Sequence, residues 1–304
     1  MMFPEDLIKK RILITGANGM LGQRTIFNLA LAKNYELLGV SLEDEAVFSN
    51  VDYKCVDLTN RDDFKQVVYN FCPDFIINTA AFTNVDLSET ERETAWKVNV
   101  KGVEYVAEAA RVIDAHVIHI STDYVFDGKR GPYSEKSRTN PLGYYGRTKL
   151  ASENVLKTSG VFNTIIRTNV LFGIADSRPD FVRWVVSSLR AGKKIRIVTD
   201  QINNPTFIDD LVQAISKIIE FKKYGLYNIG GREFLSRYDF TIKIADYFQL
   251  DKSLIKKIVT EDLNQPAKRP LKSGLLTIKA ESEFGFKPHS IEESLAIMKK
   301  ELSL

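Results

Sequence analysis

The sequence predicts an α/β fold, a parallel sheet with helices on both faces joined to a smaller carboxy-terminal lobe. Three observations predict it. Short apolar runs alternate with stretches of helical period through the first 170 residues. A glycine-rich turn joins the first apolar run to the first helical stretch. No Gly/Ser linker, internal repeat or low-complexity tract divides the chain, so its later part packs directly on the first. Strands that alternate with helices favour a parallel sheet, because each crossover needs a helix and both faces become covered.

The elements follow in order. Residues 11–15 (RILIT) read as a buried strand and residues 21–32 as the first helix. Residues 36–40 and 51–55 read as the second and third strands, 63–71 as a helix, and 74–78 (DFIIN) as another buried strand. One long helix is expected over 91–113, followed by the strand 116–120 (HVIHI). A helix over 143–157 leads to the strand 163–168 (NTIIRT). Beyond Phe172 the pattern is less regular: helix 179–190, strand 195–198, amphipathic helix 207–221, strand 225–229, and helices 236–248 and 290–302. The expected division is a core domain over residues 1–170, with 201–224 packing back on it. A lobe built from 171–200 and 225–304 completes it, and a cleft between the two is the natural ligand site.

Composition narrows the class. The 304 residues carry 42 basic and 39 acidic side chains, a formal charge of +3, which is too balanced to point to nucleic acid or a membrane surface. Hydrophobic residues make up 44% and charged residues 27%, values of a folded chain with a large core. No segment reaches the roughly 18–20 apolar residues of a membrane-spanning helix, and the first residues lack the apolar run of a signal peptide. Cys55 and Cys72 stand outside any CxxC or Cys/His cluster. The expectation is therefore no metal site, and reduced thiols in a cytoplasmic protein.

The turn Gly16-Ala17-Asn18-Gly19-Met20-Leu21-Gly22 has the spacing GxxGxxG. Gly16 suits the tight turn, Gly19 lets the backbone approach a pyrophosphate, and Gly22 lets the helix lie close to the sheet. The helix N-terminus then offers free N–H groups to the phosphates. Such a turn, after a strand and before a helix, points to a nicotinamide dinucleotide. Ser41 stands at the end of the second strand, where an acid would select NAD(H). With Arg24 nearby, it gives the expectation of NADP(H) in preference to NAD(H). The competing reading is a loop serine and a surface arginine. Asp57 is a candidate for the adenine amino group, or else a turn acid before the next helix. Ala80 and Ala81 are small enough to let backbone pass beside the cofactor. Leu58, Thr83 and Asn99 complete the candidate cofactor contacts, with Tyr145 and Lys149.

Tyr145 and Lys149 stand four residues apart in GYYGRTKL, hence on one helix face. A phenol with an ordinary pKa near ~10 needs help to exchange a proton near neutrality, and an ammonium beside it lowers that pKa. Taken alone, the pair reads as an exposed Tyr and Lys on a solvated helix; its place after the fifth strand of a GxxGxxG chain, with a hydroxyl residue at the end of that strand, decides for catalysis. Tyr144 has the wrong offset from Lys149. Thr122, at the end of the fifth strand, is the candidate to hold a carbonyl oxygen as charge develops, and Ser121 competes with it.

The segments TGANGMLGQ, NTAAFTNVDLSE, AWKVN, ISTDYVFDG, YYGRTK, IIRTNVLFG, DQINNPTFIDDL and KRPLKSGL run from residue 15 to 275. In them the chain resembles the extended short-chain dehydrogenase/reductase superfamily and, more narrowly, the dTDP-4-dehydrorhamnose reductases. The resemblance implies a Rossmann-type fold and NAD(P)H-dependent reduction of a nucleotide-linked 4-keto-6-deoxy-sugar, in dTDP-rhamnose and polysaccharide biosynthesis. It implies catalysis by Thr122, Tyr145 and Lys149, and substrate contacts from Thr122, Asp123, Tyr124, Arg167, Asn204 and Arg269, the last two toward the nucleotide or its diphosphate. One departure stands out: Val170 occupies a position where the family usually carries an aromatic of the sugar pocket. Related dehydratases place an Asp-Glu pair where this chain has Asp123-Tyr124, so elimination of water lacks its second acid/base. Epimerases share the triad and stay open. A reading from another class is an NAD(P)-binding regulatory subunit, since those of methionine adenosyltransferase resemble the same subgroup. Base rates favour a homodimer.

Overall fold

The apolar runs of the first half pair with one another as parallel strands. The computed structural model describes residues 9–175 and 179–302. The amino-terminal residues read above as lacking a signal peptide lie mostly outside them. In chain order the elements are β1 Lys10–Thr15, α1 Met20–Leu31, β2 Tyr35–Ser41, β3 Asp52–Cys55, α2 Arg61–Phe71 and β4 Phe75–Asn78. Then come α3 Leu87–Thr90, α4 Arg92–Trp96, α5 Gly102–Val112, β5 His116–Thr122, α6 Tyr144–Thr158 and β6 Asn163–Thr168. The later chain holds β7 Leu171–Phe172, α7 Phe181–Arg190, β8 Ile195–Val198, β9 Ile202–Asn203, β10 Thr206–Phe207 and α8 Ile208–Glu220. It ends with β11 Gly225–Asn228, β12 Leu235–Ser236, α9 Arg237–Tyr247, β13 Ile255–Ile258, α10 Ile278–Phe284 and α11 Ile291–Leu302.

Seven strands form one sheet in the order β11-β6-β5-β4-β1-β2-β3, and every pairing in it is parallel. Chain direction across the sheet reverses between β1 and β4, which opens a crevice at the carboxyl ends of the strands. Alternate residues of each strand serve opposite faces. Leu13, Leu38, Ile76, Val117 and Ile165 pack with Phe64, Val68, Val106 and Leu156 on one side. Ile12, Ile14, Leu37, Ile77, Ile118 and Ile166 pack with Ile26, Leu29, Leu211 and Ile215 on the other. That alternation explains why the strands read as unbroken apolar runs.

Two sequence expectations are corrected. The strand Gly225–Asn228, assigned to the lobe, extends the large sheet beside β6. Its helix α8 runs back along α1, so the chain re-enters the sheet at its edge as a parallel crossover requires. Among the described residues the lobe shares its core with the sheet: Val185, Ile197, Phe240 and Ile244 belong to the same apolar cluster as Ile14 and Ile166. The long helix over 91–113 is interrupted by a π turn at Lys97–Lys101. Its widened backbone carries Asn99, whose amide grips Phe82 N and O and the Thr148 hydroxyl.

A buried ion pair fastens the sheet to α6. Glu153, fully buried, accepts from Arg167 Nε at 2.8 Å and Nη2 at 2.7 Å, and from Ser121 Oγ at 2.7 Å. Burial raises the Glu153 carboxyl, and the Arg167 guanidinium outweighs it and keeps the pKa below the ordinary value. Arg167→Met should therefore destabilise the fold by about 3–5 kcal/mol, the cost of stranding one buried charge. Denaturant midpoints measure it, and Arg167→Met combined with Glu153→Leu should regain part of the loss. A fully stable Arg167→Met protein with altered substrate affinity alone would return Arg167 to the sugar site.

Candidate active site

The carboxyl ends of β1, β2, β4, β5 and β6 open into one cavity of about 830 Å³. Its walls come from both parts of the chain, since Val170, Leu171, Pro179 and Asp180 face the glycine turn and the end of β5. Gly16 has φ +65°, and a Cβ there would lie 2.8 Å from the Ala80 backbone. At Gly22 a Cβ would lie 2.3 Å from the Gly16 carbonyl, so α1 can start this close to β1 only with glycine. Gly19 is different: its backbone is extended and an added Cβ meets only the Gly16 carbonyl, at 3.1 Å. Its open side faces the cavity, as a cradle for a dinucleotide pyrophosphate requires.

Most of the expected cofactor residues line this cavity: Gly16, Asn18, Gly19, Met20, Leu21, Ser41, Asp57, Leu58, Ala80, Ala81, Thr83, Tyr145 and Lys149. Asn18 also clamps the next loop, donating to Glu45 O at 2.8 Å and Glu43 Oε2 at 3.2 Å. Asp57 turns the chain by accepting from Thr59 N at 2.7 Å, so its carboxylate is partly used by the fold. Gly22 and Asn99 are not in the wall; Gly22 packs α1 and Asn99 anchors the 82 loop. Arg24 is corrected outright. It pairs with Asp209 and Glu301, on α8 and α11, and is not available to a 2′-phosphate. Glu43, which the sequence places just past Ser41, enters the wall and takes a hydrogen bond from the Ser41 side chain.

The catalytic candidates meet at the other end. Thr122 closes β5 in register with Thr168 of β6. The α6 helix lies against the Asp123–Val125 turn, and Gly146 allows this, because a Cβ there would sit 2.2 Å from Tyr124 O. The approach brings the Tyr145 ring edge-on to the Tyr124 ring, at 5.8 Å between centroids, with its phenol near the Thr122 hydroxyl. Tyr144 instead turns toward Arg92, whose guanidinium covers its ring at 5.2 Å. Burial, then Asp123, push the Tyr145 phenol above its ordinary range. The lowering expected from Lys149 is absent from this arrangement, because Lys149 Nζ lies against His119 Nε2 at 3.2 Å. Burial lowers Lys149 to about 8, opposed by Glu153. Burial likewise keeps His119 neutral, and Asn78 and Ser152 hold its ring at 3.1 and 3.0 Å.

The expected substrate residues divide. Asp123, buried and raised to about 6 by burial, accepts from the Thr122 and Ser273 hydroxyls beside Tyr145. Tyr124 stands next to it. Arg269 is held by both oxygens of Asp86, at 2.6 and 2.7 Å, and comes within range of the Tyr124 hydroxyl. Arg167 and Asn204 are buried in the interior and, like Asp123, Tyr124 and Arg269, are not in the cavity wall. Arg167 serves Glu153, and Asn204 joins Asn169, Gly231 and Leu275. Asp86, His119, Gly146 and Ser273 were missed, although NVDLSE, YYGRTK and KRPLKSGL contain three of them and His119 directly precedes ISTDYVFDG.

The family model of the RmlD substrate binding domain matches residues 10–304. A dTDP-4-dehydrorhamnose reductase of Aggregatibacter actinomycetemcomitans is 37% identical over 297 residues, covering 94% of this chain and 97% of that protein. A crystal structure of the dTDP-4-dehydrorhamnose reductase of Bacillus anthracis in complex with NADP superposes with a TM-score of 0.87 at 32% identity, covering 96% of this chain and 99% of that one. The methionine adenosyltransferase 2 subunit beta of Xenopus tropicalis is 29% identical over 259 residues, covering 83% of this chain and 76% of that protein.

The two glycines separate fold from binding. Gly19→Val should leave the melting temperature within a few degrees while abolishing NADPH binding, read by nucleotide fluorescence titration. Gly22→Ala should instead overpack the β1–α1 junction and cost roughly 1–3 kcal/mol of stability. Unchanged NADPH affinity in Gly19→Val would remove the pyrophosphate from this turn.

Proposed function

The chain belongs to the RmlD substrate binding domain family of extended short-chain dehydrogenases/reductases, and from that premise we propose that it reduces the keto group of a nucleotide-linked 4-keto-6-deoxy-sugar with NAD(P)H. The observation that supports the reading is the meeting of Thr122, Tyr145 and Lys149 in the cavity that also holds the glycine turn.

A bound reduced nicotinamide supplies the hydride that the keto carbon needs. The residues do the rest. Thr122 turns its hydroxyl from Asp123 to the carbonyl oxygen and steadies the charge developing there. Tyr145 gives its proton to that oxygen, and its raised pKa keeps the proton in place until then. Lys149, charged below about pH 8, has one neighbour at His119 and turns its remaining N–H groups to the cavity, where a nicotinamide ribose would lie. Arg167 and Asn204 take no part beyond holding the walls.

The cofactor preference rests on less than the sequence suggested. Ser41 tolerates a 2′-phosphate, and the Bacillus anthracis relative is in complex with NADP. Arg24 is committed elsewhere, and Glu43 places a carboxylate near Ser41. We infer that NADP(H) keeps its preference over NAD(H) only as a few-fold margin, which parallel titrations of the two measure. The regulatory-subunit reading draws on the methionine adenosyltransferase relatives, but the assembled triad favours turnover.

The test is a panel of dTDP-, GDP-, UDP- and CDP-linked keto-sugars with NADPH, followed at the nicotinamide absorbance. The dTDP-linked 4-keto-6-deoxy-sugar should be consumed fastest. Tyr145→Phe should lower kcat by about 10²–10⁴ with NADPH affinity nearly intact. Thr122→Val should lower it by about 10²–10³. Tyr144→Phe should stay near wild type. No consumption with any member, together with stoichiometric capture of a partner enzyme, would overturn the reductase reading.

A further inference from the structure

Lys149 has a buried imidazole at its back, and the groups around that ring fix where its proton sits. They begin at Thr15, whose hydroxyl takes the Ala80 N–H at 3.4 Å and donates to Asn78 Oδ1 at 2.6 Å. With its oxygen taken, Asn78 turns Nδ2 to His119 Nδ1 at 3.1 Å. An amide nitrogen only donates, so Nδ1 accepts. His119 is wholly buried and neutral and carries a single ring proton, which therefore lies on Nε2. The far side of the ring agrees. Ser152 Oγ, 3.0 Å from Nε2, spends its own proton on Lys149 O at 2.7 Å and is left as an acceptor.

Lys149 Nζ also lies 3.2 Å from Nε2. An ammonium has three donors and no lone pair, so at Nε2–H it meets another donor. A neutral amine has a lone pair to receive that N–H. The ring thus favours the amine over the ammonium, in the same sense as burial, which lowers Lys149 to about 8. Glu153, one turn further along α6, works the other way, but Arg167 and Lys157 share its carboxylate at 2.7 and 3.1 Å. Tyr145 stands one turn before Lys149 on α6, and Asp123, just beyond β5, faces Tyr145. β4 and β1 bring the uncharged Asn78 and Thr15 to the ring.

We propose that His119 is a positioning residue that presents Nε2–H to Lys149 and so opposes its charge, with Thr15 and Asn78 setting the tautomer. The proposal rests on the reading of Lys149 as a cofactor contact. It gives the buried polar groups a second duty: besides holding Lys149 in place, they set the pH above which the cofactor site loses its cation.

The first measurement is made on the wild-type protein without cofactor. The chain has three histidines, His116, His119 and His289, so nitrogen-15 spectra of histidine-labelled protein resolve the rings, and single substitutions of His116 and His289 by Gln assign them. Long-range nitrogen–proton correlations should show His119 protonated at Nε2 and unprotonated at Nδ1. A ring protonated at Nδ1, or at both nitrogens, overturns the assignment. The second measurement follows NADPH affinity against pH. In wild type it should fall above about pH 8, as Lys149 loses its charge. In His119→Phe the midpoint should lie about 0.5–1 pH unit higher, the worth of one hydrogen bond to the neutral form. Asn78→Leu, which keeps the ring and frees its tautomer, should move the midpoint the same way and serves should His119→Phe not fold. A ring that only filled space would leave the midpoint unmoved, and one that accepted from the ammonium would move it down; either result overturns the assignment. Wild-type affinity that does not change with pH overturns the cofactor reading of Lys149 and the proposal with it. With a reducible keto-sugar, the alkaline limb of kcat should move with the NADPH midpoint. A protein that shows the Nε2–H ring and the raised midpoint but reduces no keto-sugar supports the assignment while removing the reductase reading.

Discussion

The carboxylate of Glu153 determines where α6 lies. It sits one turn beyond Lys149 on α6 and binds two strands at once, Ser121 of β5 and Arg167 of β6. Ser121 is the neighbour of Thr122, and Arg167 is opposite Ser121 in the sheet register. One buried group therefore fixes the distance between the helix that carries Tyr145 and the strand end that carries Thr122. An exposed ion pair would be too weak and too mobile for this. A buried one resists sliding because any shift strands a charge in a dry interior.

A second polar layer runs beneath the first. Lys149 touches His119, His119 meets Asn78, and Asn78 accepts from the Thr15 hydroxyl at 2.6 Å, so the chain of contacts crosses β5, β4 and β1. It ends at the residue before Gly16, where the glycine turn begins. The turn and Lys149 are thus held by one connected set of buried groups. The side chains that would touch the nicotinamide stand on strands and on a helix, not on free loops, which is what proton transfer over hydrogen-bond distances demands.

The parts of this that depend on local pattern were legible in the sequence. Apolar alternation marked the strands, the glycine spacing marked the turn, and the four-residue offset picked Tyr145 over Tyr144. The errors fell on polar side chains whose partners are remote. Arg24 meets residues 185 and 277 positions away, and Asn204 meets Leu275. Residue type says that such a side chain needs a partner; it does not say whether that partner is protein or ligand. Gly225–Asn228 went to the lobe for a related reason, because a four-residue strand carries no mark of the sheet it will join.

The sugar end of the cavity has a feature that sequence and backbone explain only together. Val170 takes φ +32°, a conformation that β-branched residues avoid, at a cost on the order of 1–3 kcal/mol. The bend is held from outside: Thr206 N donates to Val170 O at 3.2 Å, and β7 pairs with β10 directly after it. The contact between the two parts of the chain thus imposes the bend. An aromatic side chain at this position would fill the space opposite Thr122. Valine leaves that wall short, and the polar groups beside it in the cavity, Thr122, Thr168 and Asn169, make up more of this end.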